Sequence, residues 1–466
     1  MEYVETTKGK QKIVLSGYYY VKVKKLASGA DAWECEKRRG TGTGAQSSQC
    51  KARLHVKDDA IVKEIGEHSH APDGTRKEVL TAKTAIKRHA QSSQDTAQHI
   101  ITSTMQGLSQ EAATQLPHIR SIRRGIRRER QSNAPATPAD RSSIEIPEEY
   151  KRLTSGEQFL QYDSGPDDNR IFIFATEAAL QLLVSSDHWF MDGTFKIVPQ
   201  LFFQLYTVHV LHNGGTVPCV YALLPRKEEA TYEHLFREIK SLAPQAAPSS
   251  IMLDFEKAAI NAAGRIFTGA EIKCCFFHLS QNIFRQVQEH GLQNRYRDDA
   301  EFALGVRMVA ATAFVPVDQI VDAYEQLQQH LDDEYDDILD YFEDNYIGRQ
   351  RRVNRRAPRF LHQMWNMHSR ADEELPKTNN HVEGWHRRMQ SAVSACHPSI
   401  WKLIDVLRRD HALCAVSIAQ AVGGHTPEPR RKKYVQCERR IENIVRDFGS
   451  RNVLDFLRAI AYNLKL

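Results

Sequence analysis

The stretch 188-HWFMDGTFKIVPQLFFQLYTVHVL-211 governs how the rest of the chain is read. Trp189, Phe190, Met191 and Phe195 surround a single carboxylate, Asp192, with Gly193 beside it. A run this dense in aromatic and aliphatic residues predicts a strand buried on both faces. A lone ionised carboxylate in such a strand is costly to bury, so Asp192 needs a partner or a task. The same pattern returns at 249-SSIMLDFEKAAI-260, where Ile251, Met252 and Leu253 run into Asp254 and a helical stretch follows. Two strand-borne carboxylates in one domain point to a site for a hard divalent cation, which takes oxygen ligands.

A third carboxylate comes from 377-KTNNHVEGWHRRMQ-390. Val382, Trp385, Met389 and Val393 recur at helical spacing, which puts Glu383 in the first turns of a helix that opens near Asn379 and Asn380. Around these residues the chain predicts a regular order of elements. Strands are expected at 188–198, 201–212, 216–224, 250–254 and 271–277, and helices at 230–243, 256–267 and 278–289. Asn213-Gly214-Gly215 supplies a hairpin turn, and 170-RIFIFATEAALQLLVSSD-187 a preceding strand and helix. Asp254 also stands where a helix N-cap would. Cys274, Cys275 and His278 sit at a strand–helix corner. With no second pair nearby at matching spacing, they read as packing with room for substrate contact, not as a metal site.

The blocks DGTFK (192–196), DFEKAAINA (254–262), CFFHLSQNIFR (275–285) and NNHVEGWHRRM (379–389), in that order, resemble the catalytic domain of Mutator-like element (MULE) transposases. The resemblance spans roughly residues 145–420. It implies an α/β, RNase H-like (DDE transposase) core in which Asp192, Asp254 and Glu383 are the catalytic triad. It further implies that these three hold two Mg2+ or Mn2+ ions for cutting and joining DNA strands. Cys275 and His278 match a CxxH motif of the family. The implied partners are double-stranded DNA and further copies of the chain, in the nucleus. Two other outcomes are a domesticated transcription regulator that binds without cutting, and a plain nuclease.

The first 75 residues read differently. The stretch 12-KIVLSGYYYVKVKK-25 is a strand signal, and Cys35, Cys50, His68 and His70 follow as C-x14-C-x17-H-x-H. Two thiolates and two imidazoles make a tetrahedral zinc set, and a domain of about 60 residues needs such a staple. Histidines one residue apart share a face of an extended strand, unlike the wider spacing used on helices. His55 is a competing ligand, disfavoured by its place inside a strand. Tyr18–Tyr20, Trp33-Glu34-Cys35 and Cys50-Lys51-Ala52-Arg53 make the unit resemble a FLYWCH-type zinc finger. That resemblance implies a structural Zn2+ and a sheet that reads DNA.

The expected division is a small β-rich zinc-binding head (1–75), a basic linker with an amphipathic helix (76–143), the first part of the core (144–289), a helical insertion (290–375), the core's final helices (376–424) and a basic helical tail (425–466). In the linker, 116-LPHIRSIRRGIRRER-130 puts Arg123, Arg124, Arg127 and Arg128 on one face above Ile119, Ile122 and Ile126. That face serves either as a solvated surface or as a phosphate contact. In the insertion an acidic block, 331-LDDEYDDILDYFEDNY-346, precedes a basic one, 348-GRQRRVNRRAPRF-360. Arg430-Arg431-Lys432-Lys433 is a weak nuclear-entry signal, and one amphipathic helix is expected over about 437–464.

Composition agrees with this division. At 466 residues, 41% of them hydrophobic, the chain can build two or three domains. It has no apolar run of membrane-spanning length and no apolar leader in MEYVETTKGK. Eight scattered cysteines argue for a reducing compartment, and the net charge of +5 is modest.

Overall fold

Short alternating segments joined by tight turns build the N-terminal sheet of this computed structural model. It describes the chain apart from residues 39–48, 94, 213–214, 353, 373–375, 379, 426–431 and 466. The hairpin turn at Asn213-Gly214, Asn379, and Arg430-Arg431 of the basic run lie outside the described residues.

Six strands follow one another as an antiparallel meander: β1 (Glu2–Glu5), β2 (Gln11–Leu15), β3 (Tyr18–Lys25), β4 (Asp31–Cys35), β5 (Arg53–Lys57) and β6 (Ala60–Ile65). Two of the hairpins turn through left-handed pairs, Ser16-Gly17 (φ 51° and 77°) and Asp58-Asp59 (φ 50° and 58°), as two-residue hairpins require. Ile13, Tyr20, Trp33, Leu54 and Val56 form a small core that also takes in Cys35 and Cys50.

The helices Arg76–Ser92, Ala97–Met105, Gln110–Thr114 and Ile119–Asn133 follow. Ile86, Ile100, Ile101, Ile122 and Ile126 bury one another between them. The polar composition of this stretch predicts a linker carrying one helix. Its few isoleucines instead come from separate helices and meet only in three dimensions, so residues 1–136 form one compact unit.

The second unit, Thr137–Leu466, is built on a seven-stranded mixed sheet. Its strands are β7 (Leu160–Asp163), β8 (Phe172–Phe174), β9 (His188–Thr194), β10 (Gln204–His212), β11 (Gly215–Leu224), β12 (Ser250–Leu253) and β13 (Glu271–Cys274), in the order β13-β12-β9-β10-β11-β8-β7. β9 pairs antiparallel with β10 and parallel with β12, so the sheet changes direction at β9. The first long strand stops at Thr194 instead of running on to 198, and β7 adds an edge that periodicity does not predict.

Alternation along β9 and β12 sorts their side chains between two layers. Trp189, Met191, Ile251 and Leu253 join the large core with Leu235 and Phe236 of the helix Glu229–Leu242 and Ala259 and Ala263 of Lys257–Ile266. Phe190 and Met252 join a second cluster with Cys275 and Val382, the latter on the helix Asn380–Val393. That assignment puts Asp192 on the face covered by the Glu383 helix.

Within the insertion the two charged blocks pair. Arg355 reaches Glu325 at 2.7 Å and Glu343 at 2.5 Å, and Arg349 reaches Asp340 at 3.2 Å. The expected C-terminal helix is broken in two, Lys432–Arg446 and Val453–Ala461, because Asn452 caps a new start by accepting from Asp455 N–H at 2.8 Å. Phe456, Leu457 and Ile460 are fully buried, so this helix spends its apolar face on the unit's own core. Among the described residues no helix is long and apolar enough to cross a membrane.

Candidate metal centres

The head brings Cys35, Cys50, His68 and His70 together, with their ligand atoms all within 4.8 Å of one another. Cys50 Sγ lies 3.3 Å from His68 Nδ1, and Cys35 Sγ lies 3.2 Å from His70 Nε2. These spacings are close to the edges of a tetrahedron with bonds of about 2.1–2.3 Å.

The outer contacts assign the ring nitrogens. His70 Nδ1 donates to Ala71 O at 2.9 Å, leaving Nε2 as the lone pair; His68 Nε2 lies 2.8 Å from the Tyr20 hydroxyl, whose oxygen can accept from it when Nδ1 serves as the ligand atom. The Tyr18 ring stacks flat on His68 at 3.5 Å. Burial works to raise the Cys50 pKa, yet the Ala52 and Ser69 N–H groups bring it down, which favours the thiolate a metal needs. Burial pushes the Cys35 thiol up to about 11. The set fits a structural zinc. His55 is not among the grouped ligands.

In the second unit Asp192, His278 and Glu383 converge, again with ligand atoms within 4.8 Å. Asp192 comes from β9 and Glu383 from the first turn of Asn380–Val393. His278 sits in the first turn of Phe276–Glu289, and the docking of Phe276 N–H onto Lys377 O at 3.1 Å holds the two helix starts together. Asp192 is 5% exposed; its Oδ1 accepts from Gly193 N–H at 2.9 Å, while Oδ2 has no hydrogen-bond partner. Burial raises the Asp192 pKa to about 8; His278 opposes the rise, and Asp254 and Glu383 add to it. At His278 burial pulls the pKa down, but the neighbouring Cys275 and Glu383 outweigh it and lift the value to about 11. A buried acceptor oxygen with no donor, surrounded by acids and an imidazole, suits a cation.

Asp254 stands nearby but outside this group. Met252 pairs with Phe190 in the parallel register, and Asp254, just past the end of β12, lies close enough to Asp192 to add to the rise in its pKa. Asp254 Oδ1, however, accepts from Glu256 N–H at 3.2 Å, a turn contact just ahead of the helix Lys257–Ile266, whose N-cap is Glu256, so Asp254 is not the cap that its place in the sequence offered. Glu256 in turn links through Tyr232 (3.0 Å) to Gln204 (2.7 Å), the residue that a Cβ at Gly193 would strike.

Two residues near the centre are not singled out by the sequence reading. His386, one turn beyond Glu383, places Nδ1 3.6 Å from Asp192 Oδ2. Burial drops its pKa to about 4, against the pull of Glu383. The Glu383-x-x-His386 spacing puts both on one helix face and is the signal that could have found it.

The other is Asp410. It is 5% exposed and accepts from Trp385 Nε1 at 2.7 Å, Tyr221 Oη at 3.0 Å and Arg388 at 3.0 Å. It therefore ties the Glu383 helix to β11 and to the helix Ile400–Val422. Asp410→Ala would leave three donors around a buried gap and should cost about 3 kcal/mol. Denaturant unfolding of the core checks this, and Asp410→Asn should lose less.

Of the basic helix Ile119–Asn133, Arg124, Arg127 and Arg128 are exposed, as is Arg123, which donates to Gln98. Arg130 is a tether, donating to Ser93 O at 2.9 Å and Asp95 O at 2.7 Å.

Comparison with known families finds two domain models in the chain. The family model of the MULE transposase domain matches residues 188–282, which contain β9 to the His278 helix. The FLYWCH zinc finger domain matches residues 3–70, which contain all four zinc-type ligands. A search of curated proteins finds no match to the chain.

Proposed function

We propose, for a chain that carries a MULE transposase domain and an N-terminal FLYWCH zinc finger, that it is a DNA transposase of the MULE type with an RNase H-like DDE core, acting in the nucleus. The observation that carries the proposal is the meeting of Asp192 and Glu383, 191 positions apart (383 − 192), around a buried oxygen with no donor. A divalent cation, Mg2+ or Mn2+, bound there would supply the charge that phosphoryl transfer on DNA requires.

The chain's own residues do the rest. Asp192 presents Oδ2 because Gly193 N–H occupies Oδ1. Glu383 is held over the sheet by Val382 and Trp385, which are buried on either side of it in the sequence. Asp254, close to Asp192, completes the carboxylates once its side chain leaves the Glu256 amide. Lys227, 2.9 Å from Glu256, restrains that neighbour meanwhile.

The test is strand cleavage of terminal-repeat DNA by the purified chain with Mg2+ or Mn2+. Cleavage that requires the cation supports the proposal, and intact DNA under all conditions refutes it. The engagement of Asp254 Oδ1 by Glu256 N–H is the observation that favours the other reading, a DNA-binding regulator without cleavage.

The zinc finger points to DNA as the partner, and we assign phosphate contact to Arg123, Arg124, Arg127 and Arg128. Neutralising all four should weaken binding to every DNA sequence about equally. It should also reduce the slope of log K against log salt by up to about 0.9 for each phosphate left without its arginine. Binding isotherms at several salt concentrations check this, and an unchanged slope would remove the assignment.

A further inference from the structure

His278 belongs to a CxxH motif that spacing alone assigns to packing, and the structure gives the two halves different surroundings although Cys275 still acts on His278. Cys275 packs: it is fully buried with Phe190, Met252 and Val382. His278 instead turns toward the acids, in mutual reach of Asp192 and Glu383, a group that among the described residues includes neither Asp254 nor His386. Its Nε2 lies 3.6 Å from Glu383 Oε1. That is long for a hydrogen bond and somewhat wider than the roughly 3.0–3.4 Å between neighbouring ligands of one octahedral or tetrahedral ion with bonds of about 2.1 Å, a gap that a small side-chain movement closes. The three groups arrive from three different elements, and the buried Asp192 Oδ2 among them lacks a hydrogen-bond partner.

We propose that His278 is a direct ligand of the core's divalent cation, so that Asp192, His278 and Glu383 form a mixed nitrogen–oxygen site. The inference rests on the metal-dependent reading of the core given above. Its chemical consequence is selectivity. Mg2+ takes oxygen ligands in a strict octahedron and gains little from an imidazole, whereas first-row transition ions accept nitrogen readily. The site therefore favours Mn2+ and its neighbours over Mg2+. His386 then stands outside the ligand sphere, beside Asp192 Oδ2.

The experiment uses the full chain with its head loaded with zinc and Mn2+ as the probe. Pulsed EPR of the bound Mn2+ should show a directly coupled 14N nucleus that changes to the 15N pattern on labelling the histidines. The coupling should survive in His386→Gln and vanish in His278→Gln. His278→Gln should also lower Mn2+ affinity at least tenfold, with a smaller change for Mg2+. Glu383→Gln should weaken both ions.

Bound Mn2+ with no nitrogen coupling overturns the His278 assignment and leaves the metal-dependent reading standing. Coupling that persists in His278→Gln but disappears in His386→Gln also overturns it, by naming the other histidine. Failure to bind Mn2+ at all removes both. If His278→Gln does not fold, the wild-type and His386→Gln spectra decide.

Discussion

Asp192→Asn should abolish strand cleavage while leaving DNA affinity within about twofold of the parent. The side chain keeps its volume and can still accept from Gly193 N–H, but it loses the charge that a cation needs at Oδ2. A bound divalent ion contributes several kcal/mol to the transition state, so the rate should fall by about three orders of magnitude or more.

Stability should move the other way. In the metal-free chain the buried Asp192 is protonated up to about pH 8, so its ionisation works against folding as the pH rises toward that value. Asparagine removes this penalty, and Asp192→Asn should melt no lower than the parent near neutral pH. Wild-type affinity for Mn2+, followed by titration, should increase as the pH rises toward about 8, because the cation competes with that proton. Loss of DNA binding in step with cleavage would instead mark Asp192 as a folding residue and sink its catalytic assignment.

The second large effect concerns the head. Removing zinc from the fragment 1–136, which forms one compact unit, should unfold the six-stranded sheet. The apolar core around Trp33 is small, and a structural zinc of this kind supplies on the order of 10–16 kcal/mol of apparent binding free energy. Trp33, 5% exposed, is the one tryptophan of residues 1–136, so its emission reports this directly. A chelator should shift the emission to that of exposed indole, and added Zn2+ should restore it. Cys50→Ser should produce the same state without a chelator. Emission that stays put after chelation, with zinc shown to be gone, would mean the sheet stands without its staple.

His68 offers a finer check within the same unit. Tyr20→Phe removes the hydroxyl on His68 Nε2 while keeping the ring, and should weaken zinc by about tenfold through loss of the outer contact alone.

Much of the architecture was legible in the chain, because it depends on short-range periodicity. Dense apolar runs marked β8 to β13 of the larger sheet though not its edge β7, and the alternating stretch 12–25 marked one strand where the structure has two, β2 and β3, split at Ser16-Gly17. Apolar residues at helical spacing marked Glu229–Leu242, Lys257–Ile266 and Asn380–Val393. The four residues Cys35, Cys50, His68 and His70 stood out because a small sheet leaves few other ligand pairs, and the H-x-H spacing suited an extended segment. Asp192 stood out because a charge inside an aromatic strand is expensive wherever the strand ends up.

The tertiary structure decided what no local spacing encodes. The pairing of β12 beside β9 brings Asp254 near Asp192, but Asp254 Oδ1 is engaged by Glu256 N–H, and it is His278 that shares mutual reach with Asp192 and Glu383. The isoleucines between 86 and 126 looked sparse along a polar chain and became a core only when their helices met. Asp410 gave no local signal, since its donors Tyr221 and Trp385 lie 189 and 25 residues away. Periodicity tells which face of an element is buried. Which partner it meets there depends on contacts between distant segments, and those are settled only when the whole sheet and its covering helices close together.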